Sequence, residues 1–205
     1  MQGFGQFLLI AMFLATLVTA LTAIAGAITR RKALMDGARY GVYAVTALNV
    51  AMALILTHGF LTHDFSNKYI ATYSDRSMPD LYLLAAFWGG EKGALLFWTT
   101  SLSIFSYIAV AVNRNKEPVY MAWVAAILML AILFFDILMV FESSPFETFV
   151  TSAGPMDGKG LNPLLQNPTM AFHPPTLLTH GGSCRRWFRS PPRHVPFLED
   201  CRCLK

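Results

Sequence analysis

The chain has 205 residues, of which 55% are hydrophobic and 14% charged, against about 25% charged in an ordinary soluble domain. That balance argues against a soluble enzyme. The net charge of +4 is local: six of the sixteen basic residues (Arg185, Arg186, Arg189, Arg193, Arg202, Lys205) follow Thr179, leaving ten basic and ten acidic side chains in residues 1–179. No basic face for nucleic acid is indicated. Cys184, Cys201 and Cys203 also fall in that last stretch, so the body of the chain offers no disulfide framework or redox pair.

In chain order, four apolar runs, 7–28, 40–57, 94–112 and 121–140, are each about long enough to cross ~30 Å of hydrocarbon at ~1.5 Å per residue. They predict an all-α integral membrane protein with four transmembrane helices. The first run is not a secretory signal, because MQGFGQF before it carries no positive charge and Arg30, Arg31 and Lys32 follow it. Arg30, Arg31, Lys32 and Arg39 lie in the dozen residues between runs one and two, and Arg114 and Lys116 between runs three and four. Short loops rich in Lys and Arg stay in the cytoplasm. The N-terminus, residues 58–93 and everything after Phe141 are therefore expected on the outer face.

Within the runs, Ala15, Thr19, Ala23 and Ala27 form a small-residue ridge, and Thr99, Ser103 and Ser106 a hydroxyl stripe. Both read as helix-packing faces. Asn49 and Asp136 are the polar exceptions. An intramembrane carboxylate is a functional-site hypothesis by default, but Asp136 stands about one turn from the outer end of its run, where it is expected to reach water.

The outer segment before run three carries a predicted short interfacial helix. Ser77 and Asp80 have capping-box spacing with Pro79 near the start. Leu81, Leu84, Ala85 and Trp88 then make an apolar stripe, with Trp88 at headgroup depth and Gly89-Gly90 ending the helix. Residues 141–179, with prolines at 145, 155, 163, 168, 174 and 175, are expected to form a Pro/Gly-rich extracytoplasmic loop. His173 stands there between Phe172 and Pro174-Pro175, on backbone that the following proline holds extended. Imidazole is a common ligand of metals and haem iron, and a hydrogen-bonded structural histidine is the alternative.

Two stretches carry a resemblance: HDFSNKYIATYSDRSMPDLYLLAAFWGGEKGALLFW (63–98) and SSPFETF followed by DGKGLNPLLQNPTMAFHPP, within 143–175. They resemble the N-terminal part of the CcmF family of cytochrome c-type biogenesis proteins, the haem lyase subunit of bacterial c-type cytochrome maturation. The resemblance implies a multi-pass protein of the bacterial inner membrane with its N-terminus and main loops in the periplasm. It implies a protein that takes haem from a haem chaperone and presents it to the CxxCH thiols of apocytochrome c, alongside other maturation subunits and membrane lipid. His173 matches a periplasmic histidine proposed as an axial haem ligand; Phe172, Pro174, Pro175 and Trp88 complete the candidate haem-binding set, and no catalytic residue is indicated.

Departures from the family are equally specific. The family continues past FHPP with further helices, a tryptophan-rich haem-holding segment, a second periplasmic histidine and in-membrane histidines for a b-type haem. Trp88, Trp98, Trp123 and Trp187 form no such segment, and WGGEKG has Glu91-Lys92 where the family usually carries His. Residues 180–205 form an arginine-rich tail where the next helix is expected. A basic tail that binds anionic lipid is one reading, and an out-of-frame end to a truncated product the favoured one. Three function classes remain open: a haem-handling assembly factor, a transporter or channel subunit resting on the four helices and Asp136, and a fragment without independent activity.

Overall fold

The computed structural model describes residues 2–149, 155–166 and 176. The elements below lie in the first of the two units into which the chain divides, Met1–Phe172. Six α-helices appear among the described residues: α1 (Gln2–Thr29), α2 (Lys32–Leu61), α3 (Lys68–Tyr73), α4 (Asp80–Gly89), α5 (Glu91–Val112) and α6 (Pro118–Phe141). α1, α2, α5 and α6 are long and apolar enough to span a membrane, and each outruns its apolar stretch. α2 departs most, starting at Lys32 where the apolar run starts at Tyr40. Hydropathy marks only the part of a helix in hydrocarbon, and Lys32, Asp36 and Arg39 belong to turns that continue beyond it. The expected twelve-residue basic loop is thus a two-residue turn, Arg30-Arg31, in which Arg30 takes a left-handed backbone with φ 52°. One left-handed residue after a helix lets the chain reverse at once.

The four spanning helices close a ring: α1 packs on α2 and α6, and α5 packs on α2 and α6. Outside the ring, Phe7, Ile10, Leu14, Val18 and Leu21 line one exposed face of α1, and Ile127, Leu130 and Phe134 one of α6. Such faces are stable against lipid and not against water. The protein is an all-helical, multi-pass membrane protein.

Inside, the α1 ridge does what its small side chains allow. Thr19, Ala23 and Ala27 are buried, and a Cβ on Gly41 of α2 would meet Thr19 Oγ1 at 2.5 Å. The helices therefore approach as closely as small residues permit. Thr99, Ser103 and Ser106 have no exposed surface, each hydroxyl donating to a carbonyl of its own helix, while Thr46 Oγ1 crosses from α2 to Ser103 O at 2.9 Å.

Two apolar clusters fill the bundle. The inner one is small and β-branched (Ala20, Ala23, Val42, Val45, Ala126, Ile132). The outer one is built on Met12, Met52, Leu96 and Met139 and continues into the cap through Phe60, Tyr69 and Phe87. Between them each helix supplies a buried polar residue: Thr16 from α1, Asn49 from α2, Thr99 from α5 and Asp136 from α6. Asp136 thus does not reach water as expected from its position; the cap extends the protein past the end of the apolar run and seals it in. The Thr16 hydroxyl lies beside the Asp136 carboxyl, yet its proton goes to Met12 O at 3.0 Å. Among the described residues, both carboxyl oxygens and Asn49 Oδ1 are left without a hydrogen-bond partner.

Candidate functional site

One end of the helix bundle carries a cap made by α3, α4 and the described parts of residues 142–166. α3 was not expected from sequence. Its start is fixed by Asn67, whose Oδ1 accepts from Tyr69 N at 2.8 Å and Ile70 N at 3.4 Å, a side-chain N-cap. The other end of the amide, Nδ2, donates to Pro145 O at 3.0 Å, and an isolated bridge pairs Asn67 with Thr148. One asparagine thus starts a helix and binds the returning loop.

α4 begins without the capping box read from Ser77 and Asp80. Its N-cap is Pro79, with no side-chain cap, and Ser77 instead turns back, donating from N and Oγ to Asp75 Oδ1 at 2.8 and 2.7 Å. A local Asx turn has taken the hydroxyl that capping needed. The buried face of α4 is Leu83, Ala85, Ala86 and Phe87. Of the stripe read from spacing, Leu81 and Leu84 are exposed. The helix is apolar on both faces, one docked and one open. Trp88 is half-buried at its end, its ring 5.3 Å from that of Phe97.

The WGGEKG motif is a tight packing device. The Tyr69 hydroxyl accepts from Gly90 N at 3.1 Å and reaches Phe87 O at 3.0 Å, closing the C-terminal turn of α4. Burial pushes the phenol pKa up from its ordinary value, so it stays a neutral donor. A Cβ on Gly90 would strike the Tyr73 ring, and one on Gly93 would strike Phe87 O and the Tyr69 hydroxyl. Only glycine admits the two tyrosines at that distance.

Beside this motif lies the strongest charge cluster of the cap. Glu147 receives Lys68 Nζ on Oε1 and Lys92 Nζ on Oε2, each at 2.6 Å. Those two hydrogen bonds hold its carboxyl down at about 2, well below the usual carboxylate range. Ser143 Oγ donates to Glu91 Oε1 at 3.0 Å. The Glu91-Lys92 pair that departs from the family pattern is thus engaged with residues 143–147. Sequence reading passed over this set, because charges 79 and 55 positions apart leave no periodic trace.

The second signature stretch runs back across the first. Lys159 N donates to Ala71 O at 2.8 Å and Gly160 N to Ser74 O at 3.2 Å. Gly160 has φ +80°, and a Cβ there would meet Asp75 Oδ2 at 2.7 Å. In LNPLLQNP, Leu161 is buried and its Cδ1 covers Gly89, before a 3-10 turn over Pro163–Leu165. The two stretches that carried the resemblance are packed on one another. Phe172, His173, Pro174 and Pro175 lie outside the described residues, as does the tail after residue 179. His63 is near the cap with φ 51°, and its Nε2 is buried without a partner in the described protein.

The fold and cap define a multi-pass membrane protein with a structured loop platform on one end. The family description Cytochrome C assembly protein matches residues 88–180. The chain is 38% identical over 169 residues to the probable cytochrome c-type biogenesis protein NrfE of Escherichia coli K12, covering 81% of this chain and 30% of that one. It is 31% identical over 173 residues to the NrfE of Haemophilus influenzae, covering 84% and 27%. The solved structure titled Cytochrome c Heme Lyase CcmF superposes with a TM-score of 0.70 at 23% identity, over 85% of this chain and 27% of that one. The chain belongs to the CcmF family of cytochrome c-type biogenesis proteins, and it spans less than a third of the length of these curated relatives.

Proposed function

We propose that the protein handles haem, as substrate, on the periplasmic side of the bacterial inner membrane for covalent attachment to apocytochrome c. In this reading His173 supplies one axial ligand to the haem iron. The observation that carries it is the anchoring of the stretch that precedes Phe172-His173-Pro174-Pro175 in the chain: Leu161 is packed over Gly89 of the WGG turn, at the end of α4, the helix that also carries half-buried Trp88 and exposed Leu81 and Leu84. Haem is a flat apolar macrocycle with an iron that takes imidazole nitrogen, and a histidine followed by Pro174-Pro175, on backbone that proline holds extended, suits that role. The chain's own residues then bind and orient: Trp88 and Phe172 offer ring faces, Pro174 and Pro175 restrict the imidazole. Haem comes from a haem chaperone and leaves to the CxxCH thiols, with other maturation subunits completing the site.

The periplasmic side is supported by the basic residues at the opposite end of the bundle, Arg30, Arg31, Arg114 and Lys116. A transporter reading loses its main support, since Asp136 is sealed between two apolar clusters. The test is His173→Ala in cells that mature c-type cytochromes. Haem co-purifying per protein and cytochrome c yield should both fall while membrane insertion is kept. Unchanged haem content and normal cytochrome yield would remove His173 from the mechanism.

A further inference from the structure

At the end of the bundle opposite the cap, a cleft of about 380 Å³ opens between α2, α5 and α6. Its rim carries Lys32, Arg39, Arg114 and Lys116. Against these four cations stands one lining carboxylate, Asp36, already paired with Arg39 at 3.1 Å. Its floor is apolar, from Met35, Val110, Met121 and Ala122.

Two helices begin at this cleft, α2 at Lys32 and α6 at Pro118. Neither has a side-chain cap hydrogen bond or an acidic residue in its first turn, and although the α6 N-cap is Glu117, that of α2 is Arg31, so the unsatisfied N–H groups and positive dipole end of α2 add to the cations. α5 ends here, but Asn113 covers its Ala109 carbonyl from both N and Nδ2. The balance of the cleft is therefore strongly positive over an apolar base. It stands where spanning helices leave the hydrocarbon.

We infer that this cleft binds an anionic phospholipid, its phosphate among Lys32, Arg39, Arg114 and Lys116 and its acyl chains along Met35, Val110 and Met121. A free phosphate shares the headgroup chemistry but leaves the apolar floor uncovered. Basic pockets between membrane helices hold anionic headgroups in this way, each cation adding to the attraction.

The test uses the full chain purified in a neutral detergent and exposed to phosphatidylglycerol, phosphatidylcholine or inorganic phosphate. Native mass spectrometry counts retained lipid, and a thermal melt reads stabilisation. Phosphatidylglycerol should be retained and stabilise, and the other two should not. Removing three exposed cations together, Lys32→Gln, Arg114→Gln and Lys116→Gln, should weaken retention roughly a hundredfold, and each alone roughly fivefold. The single variants keep the test valid where the triple variant fails to fold. Lys159→Gln, on the cap, should change nothing. Equal retention of phosphatidylcholine, or undiminished retention by the variants, overturns the site. Stabilisation by inorganic phosphate alone assigns it to a free anion and overturns the lipid.

Discussion

Gly93→Ala tests whether the WGGEKG turn is held by the contacts described above. The added methyl would occupy the space of Phe87 O and of the Tyr69 hydroxyl. One of these obstacles is backbone, and the other is a ring locked by hydrogen bonds to Gly90 N and Phe87 O, so neither yields cheaply. Overpacking costs about 1–3 kcal/mol, and displacing the phenol leaves buried groups unpaired at about 1–3 kcal/mol. Alanine returns about 1 kcal/mol of helix propensity. The net loss should be about 3 kcal/mol, or a melting point lower by about 6–12 °C for a chain of this size. Gly37→Ala is the control: nothing lies within 4 Å of its Cβ position, so it should gain up to about 1 kcal/mol. Both variants are compared by thermal unfolding in one detergent. A Gly93→Ala protein that melts no lower than wild type would refute the packing argument.

Asp136→Val, which removes two carboxyl oxygens that have no hydrogen-bond partner among the described residues, should raise stability by about 1–3 kcal/mol; a lower melting point would mean the carboxyl has a partner. Glu147 is held at about 2 in the folded protein against an ordinary 4.5. Its contribution is present above the ordinary value and lost as pH falls through about 2. Melts taken across that window should show a loss that Glu147→Gln no longer shows, while Glu147→Gln at neutral pH costs only about 0.5–1 kcal/mol, the group being partly exposed. For topology, exposed cysteines at Thr72 and Asn115 should respectively react and not react with an impermeant reagent added from the periplasm. The reverse labelling would invert the bundle.

The four spanning helices were legible because hydropathy over ~20 residues reports directly on burial in lipid. Their ends were not, because Lys32 to Arg39 continue α2 in a solvated setting that carries no apolar signal. In the cap, the spacing of Leu81, Leu84, Ala85 and Trp88 gave a helix but not its docked face, since α4 is apolar all round and the choice is made by Tyr69 and Leu161 from distant segments. The capping box failed because Asp75, two residues before Ser77, competes for the same hydroxyl. WGGEKG and LNPLLQNP were recognisable as strings. What they do, admitting Tyr69 and Tyr73 and covering Gly89, required their tertiary partners.

Haem ligation by His173 is tested most directly by chemical rescue. His173→Gly removes the imidazole side chain, and the protein is purified from haem-replete cells with and without added imidazole. The account predicts that haem absorbance per protein falls in the variant, returns with free imidazole, and returns with the spectrum of an imidazole-ligated iron. Haem content that stays at the wild-type level without imidazole would contradict it.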